Sequence, residues 1–149
     1  MRLSVAVVIL GLAVAGDALA QEFHPPPWVS ATRCNIRDAE EAEKGTDRLA
    51  DWAAVYRAFT QYKQCDDGAI AEGYSDAVAK LFANRWQTLR DFVNLSRQNP
   101  EFERFALWHI DTTVNLADDQ AIIANARNRC PADLKAICKR LEAKAMNPN

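Results

Sequence analysis

From Leu49 to Ala145 the apolar residues of this chain recur every three or four positions and never alternate over a usable length. Successive residues turn by about 100° in a helix, so this spacing gathers side chains on one face; a strand needs a period of two. Leu49, Trp52, Ala53, Tyr56 and Phe59 share one such face, with Asp51, Arg57 and Gln61 opposite. Ile70, Tyr74, Val78, Leu81 and Phe82 make a second stripe, which Trp86, Leu89, Phe92 and Val93 continue. Phe102, Phe105, Ala106, His109 and Ile110 make a third, Ile122, Ile123 and Ala126 a fourth, and Leu134, Ile137, Cys138, Leu141 and Ala145 a last. Gly45, Gly68 and Gly73 are the only glycines beyond residue 20, while Ala, Leu, Glu, Lys and Arg abound. The pattern predicts an all-α fold of five to six antiparallel helices, packed as a compact bundle or a short αα array.

Local signals divide the stripes. Residues 37–44 are polar and helix-prone, a short surface helix or turn ending at Gly45. The first apolar helix is expected to begin near Thr46 or Asp47, either an acceptable N-cap. Cys65-Asp66-Asp67-Gly68 reads as a turn whose aspartates cap the next helix. Asn84 and Gln87 form either a new capping box or a mid-helix pair. Asn99-Pro100-Glu101 is the clearest helix start: a cap, a proline at the first helical position, then an acid. Asn115 or Asp118 starts another helix. Trp52 and Trp86 are 34 residues apart, the tetratricopeptide period, yet the small-residue positions that should come after Trp52 hold Gly68, Glu72 and Ser75, so no tandem repeat is present.

The first twenty residues carry a second constraint. Arg2, the apolar run Val5–Val14 and the small-residue end Ala18-Leu19-Ala20 have the form of a cleaved export signal. The expected organisation is a signal peptide over 1–20, an extended proline-rich arm over 21–36 and one helical domain over 37–146. Cleavage after Ala20 predicts a soluble periplasmic or secreted protein, since no later apolar run reaches the length of a membrane span. Cys34, Cys65, Cys130 and Cys138 all lie beyond the signal, and an even number in an oxidising compartment reads as disulfides.

In one straight helix Cys130 and Cys138 would be about 12 Å apart, beyond the ~7 Å limit for a bridge. Pro131 suits a helix start, which puts Cys130 outside the helix, free to fold back. Of three connectivities, this favours Cys130–Cys138 with Cys34–Cys65. Loop-closure entropy makes the longer loop worth about 3.7 kcal/mol and the shorter about 2.6. Zinc would need a Cys-x-x-Cys pair or a nearby histidine, and neither is present, so no metal or cofactor is expected.

Arg2 and Asp17 cancel, so the net charge is −2 with or without the signal, and the basic excess of a nucleic-acid binder is missing. His109 with Asp111 is the one base near an acid, but their directions on a helix differ by about 200°, so they cannot meet locally. A half-buried, hydrogen-bonded His109 is the simpler expectation, with His109 and Asp111 the weak catalytic candidates. Asp66, Asp67, Glu72 and Asp76 could supply paired carboxylates, or simply complement a helix N-terminus. Calcium-loop and phosphate-loop spacings are not met, and Asn94-Leu95-Ser96 is a glycosylation sequon inside a helical segment. Trp28, which with His24 flanks the prolines, is expected to dock on the body. Leu107 and Trp108 fall off the main stripes and, with Phe82 at the edge of the second, could form an exposed patch for a partner.

Cys65, Gly73-Tyr74-Ser75-Asp76, Asn99-Pro100-Glu101 and Cys130-Pro131 occur in that order over residues 65–131. In that series the chain resembles the small periplasmic immunity proteins that neutralise type VI secretion amidases. The resemblance implies a non-catalytic inhibitor that occludes a toxin's active site with a protruding loop. The acidic loops 65–69 and 111–118 are the candidates, which makes Asp66, Asp67, Trp108, Asp111 and Asp118 the expected partner-binding residues. The partner would be another protein, and a homodimer is compatible with the sequence. The competing reading is a small exported enzyme or small-ligand binder with a cleft near His109 and the Asp66/Asp67 turn.

Overall fold

The computed structural model describes residues 26–29 and 33–148. The signal residues 1–20 and half of the proline-rich arm, His24 included, lie outside them. Among the described residues the chain forms seven α-helices: α1 (Ile36–Gly45), α2 (Trp52–Tyr62), α3 (Gly68–Asn84), α4 (Leu89–Gln98), α5 (Pro100–Trp108), α6 (Leu116–Asn128) and α7 (Lys135–Met146). The described residues contain no strand, and no helix among them is long and apolar enough to cross a membrane. The count exceeds five to six because α1 is a full helix and α3 and α4 separate at Arg85–Thr88.

Side chains set most helix starts. Asn35, Asp51, Asn99 and Asn115 each accept a backbone N–H from the first turn of the helix they precede, at 2.9, 2.7, 3.1 and 3.0 Å. Such caps are typically worth about 1 kcal/mol each. The Asp51 cap moves the start of α2 from the expected Thr46 or Asp47 to Trp52, leaving Thr46–Arg48 as a 3-10 turn. Within α2, Val55 is enclosed and the expected core residue Ala53 is exposed. Asp67 accepts from Gly68 N–H, and Gly68 has φ +52°, a left-handed value that favours glycine. Asn84 makes no capping box; α3 ends there, and a 3-10 turn at Trp86–Thr88 leads into α4.

Helix α3 is the centre of the molecule, packed against α1, α2 and α6, with α7 on the far side of α6. Its burial runs nearly all round, from Tyr74 and Ser75 through Ala77–Ala79 to Leu81–Ala83. Phe82, expected at a surface patch, is therefore core, 1% exposed. Trp52 stands 4.5 Å from Phe82 and 4.8 Å from Phe92, centroid to centroid. The aromatic contacts continue through Phe102 and Phe59 to Phe105, Tyr74 and His109. Pairs of this kind add about 0.5–1.5 kcal/mol beyond the area they bury.

Both expected disulfides are present, Cys34–Cys65 and Cys130–Cys138. Cys130 stands outside α7, as its pairing requires, although a 3-10 turn at Ala132–Leu134 intervenes between Pro131 and the helix. Trp28 docks on the body, its ring edge-on to Phe105 at 5.9 Å and to Trp108 at 6.4 Å. The arm departs from the extended form here: Val29 N–H bonds to Pro26 C=O at 3.0 Å, closing a turn. It also ends one residue early, since α1 begins at Ile36.

Candidate functional site

Three elements far apart in sequence bring polar groups together inside the core. Asp66 comes from the turn after Cys65, Ser75 from the second turn of α3, and His109 from the C-terminal end of α5. All three are buried, His109 completely rather than by half. Ser75 Oγ stands 3.0 Å from His109 Nδ1, and His109 Nε2 stands 3.1 Å from Asp66 Oδ2. The same Oδ2 accepts the indole N–H of Trp28 at 2.8 Å. Ser75 donates its hydroxyl to Asp111 Oδ2, also at 2.8 Å. His109 and Asp111, which cannot meet along α5, are thus joined through a residue of another helix.

The residue types are those of a serine hydrolase, but the proton positions are not. A nucleophilic serine gives its proton to the imidazole as it attacks. Here the Ser75 hydroxyl donates to Asp111 and is not directed at the imidazole. None of the described clefts is lined by Ser75, His109 or Asp66. A cleft of about 280 Å³ does open at the turn, walled by Cys65, Asp67, Gly68 and Ile70, but His109 and Asp66 do not line it; Trp28 and the ring of Phe105 pack against them. What the trio does is satisfy buried polar groups in a low-dielectric interior, where each bond strengthens the next.

Tyr74 borders this network, 5.5 Å from His109 ring to ring. Burial, then the charges of Asp66 and Tyr62, pushes its phenol well above the usual range. Its hydroxyl and Asp66 Oδ1 are both enclosed without a partner among the described residues.

An open, acid-lined groove runs along the outer face of α3. One cleft of about 600 Å³ lies between α3 and the Thr46–Ala50 turn, with Asp47, Asp76, Lys80, Asn84, Arg85 and Asp118 on its walls. A second, of about 270 Å³, adjoins it at Asp76 and Asp118 and adds Glu72, Thr113 and Asn115. Lys80 is held against Asp76 at 2.7 Å, and that hydrogen bond raises its pKa. Asp118 accepts from Asn115 at 2.6 Å and from Asn84 at 3.4 Å. Carboxylates outnumber cations on these walls. No group of three or more metal-ligating side chains occurs among the described residues.

The expected partner-binding residues therefore separate. Asp118 lines the groove, Asp111 is half-buried behind it, and Asp67 is exposed but serves as the cap of α3. Asp66 is corrected: 5% exposed and bonded to Trp28 and His109, it cannot meet a partner. Trp108 and Leu107 are half-buried, with Trp108 edge-on to Trp28. The acidic cluster Asp66, Asp67, Glu72 and Asp76 does not converge, since only Glu72 and Asp76 reach the groove. Ser75 carried no signal in a stripe reading. What betrays it is that the exposed polar residues of α3 fall in one stripe, Glu72, Asp76, Lys80 and Asn84, so a serine off that stripe must find an internal partner.

Compared with family models, curated proteins and solved structures, the chain matches none of them.

Proposed function

We propose that this chain is an exported, non-catalytic binding protein that offers the groove along α3 to a cationic segment of a protein partner. The observation that carries the reading is the meeting of two clefts at Asp76 and Asp118, which opens Asp47, Glu72, Asp76 and Asp118 to one another and to solvent. Such a surface attracts and orients a basic partner at long range and rejects acidic ones. The engaged proton of Ser75 and the enclosure of His109 favour binding over catalysis. Two disulfides fit the export that the first twenty residues suggest. In the immunity-type form of this proposal, the partner is an amidase toxin and the 111–118 segment approaches its active site.

The test uses the recombinant chain from Gln21 onward against a panel of peptidoglycan amidases, with binding and inhibition both measured. Stoichiometric inhibition of one enzyme, lost when Asp47, Asp76 and Asp118 are together changed to Asn in a folded variant, is the expected result. Inhibition that survives those three changes would move the interface elsewhere. Binding to no member of the panel would remove the immunity-type form.

A further inference from the structure

We infer that Ser75 and His109 are positioning residues for the 111–115 turn, and that the docked Trp28 holds them in register. The two oxygens of Asp111 face different parts of the molecule. Oδ2 accepts the buried hydroxyl of Ser75, while Oδ1 accepts Thr113 N–H at 2.8 Å and Thr113 Oγ–H at 2.6 Å. Val114 N–H closes the same turn on Asp111 C=O at 3.1 Å. Thr113, Val114 and Asn115 wall the second cleft, and Asn115 in turn caps α6 and fixes Asp118. The Asp111 carboxylate is thus the joint between the buried chain and the surface.

Its orientation depends on where the Ser75 hydroxyl points. A hydroxyl rotates to suit its neighbours, and this one has two, Asp111 and the imidazole. The Ser75 proton goes to Asp111 while the same oxygen stands 3.0 Å from Nδ1. Asp66 keeps the imidazole in place from the other side, and Trp28 N–H bonds the very oxygen that faces Nε2. Each bond polarises the next, so removing the first donor weakens the last. An unbroken series, Trp28–Asp66–His109–Ser75–Asp111–Thr113, links the N-terminal arm to the groove wall. Its relevance to partner binding rests on the groove reading, but the coupling itself does not.

The experiment measures amide hydrogen exchange by NMR on the free chain from Gln21 onward, so no partner is needed. Trp28→Phe keeps an aromatic ring against Phe105 and Trp108 while deleting the N–H donor and part of the indole. The Thr113 and Val114 amides are expected to exchange several-fold faster in Trp28→Phe and about tenfold faster in Ser75→Ala, with the Val55 and Leu141 amides unchanged. A tenfold change is about 1.4 kcal/mol, within reach of one lost hydrogen bond. Unchanged Thr113 and Val114 exchange in Trp28→Phe would overturn the inference, as would equal acceleration throughout the chain. Should Ser75→Ala fail to fold, Trp28→Phe decides alone. If the amides respond while partner binding ignores the groove carboxylates, the groove reading fails and the coupling stands.

Discussion

Asn125 of α6 reaches across to α3 and donates its side-chain amide to the carbonyls of Phe82 and Ala83, at 3.1 and 2.8 Å. These are among the last carbonyls of α3, which the helix itself leaves without partners. Asn125 is buried, and its own oxygen accepts from Arg129 at 3.1 Å. Asn125→Ala leaves two enclosed carbonyls unpaired and should lower unfolding stability by about 2–3 kcal/mol. Urea denaturation checks this, and a loss below about 0.5 kcal/mol would mean the end of α3 finds water instead.

Gly73 presses against the Thr46 turn. A β-carbon built on it would lie 2.5 Å from Thr46 Cγ2 and 2.6 Å from Thr46 Cβ. Ala is normally better than Gly inside a helix by about 1 kcal/mol. Here the order should reverse, with Gly73→Ala destabilising by about 1–3 kcal/mol through overpacking. The decisive measurement is the double variant: Thr46→Gly makes room, so Gly73→Ala should be better tolerated in that background than alone.

Asp119 and Asp133 give opposite pH signatures. Burial, then the neighbouring charges of Asp118 and Asp111, raises the Asp119 pKa above 3.8. Its contribution to stability is complete below the unfolded value and disappears as pH rises through the folded one. Asp119→Asn should therefore stabilise the chain at neutral pH and make little difference below pH ~3, where both forms are uncharged. Arg90 grips Asp133 with two hydrogen bonds, of 2.8 and 2.9 Å, and lowers its pKa. That contribution is present above the unfolded value and is lost as pH falls through the folded one. Thermal melts of Asp119→Asn and Asp133→Asn across pH 2–7 should show difference curves of opposite slope; parallel curves would refute the assignment.

The bridges should differ in worth. Replacing Cys34 and Cys65 by Ser opens the longer loop and should cost about 3.7 kcal/mol, against about 2.6 for Cys130 and Cys138. The first pair also ties the start of α1 to the turn bearing Asp66, so its loss should loosen Trp28 as well. Equilibrium unfolding of the two double variants tests the order, and a larger loss from the shorter loop would contradict it.

Much of the fold could be read along the chain because each stripe, cap and proline acts within a few residues. The Asn99-Pro100 start, the Asn115 cap and the position of Cys130 outside α7 are all of this kind. The start of α2 is misplaced by sequence alone because Thr46 and Asp47 are acceptable caps by type, whereas Asp51 is the one whose side chain bonds the first turn. The relay was illegible for a different reason. Its members are separated by 34 to 43 residues, so only tertiary packing joins them. Asp66 looked exposed because acids in turns usually are; a tryptophan and a histidine enclosing it leave no trace in local spacing.

The docking of Trp28 has an optical consequence. Its ring stands edge-on to that of Trp108, with 6.4 Å between centroids, while Trp52 and Trp86 sit elsewhere in the core. Two indoles that close, at a fixed angle, couple electronically and give a near-ultraviolet dichroism that vanishes when either one moves. The chain thereby carries an unlabelled reporter of whether its N-terminal arm is seated.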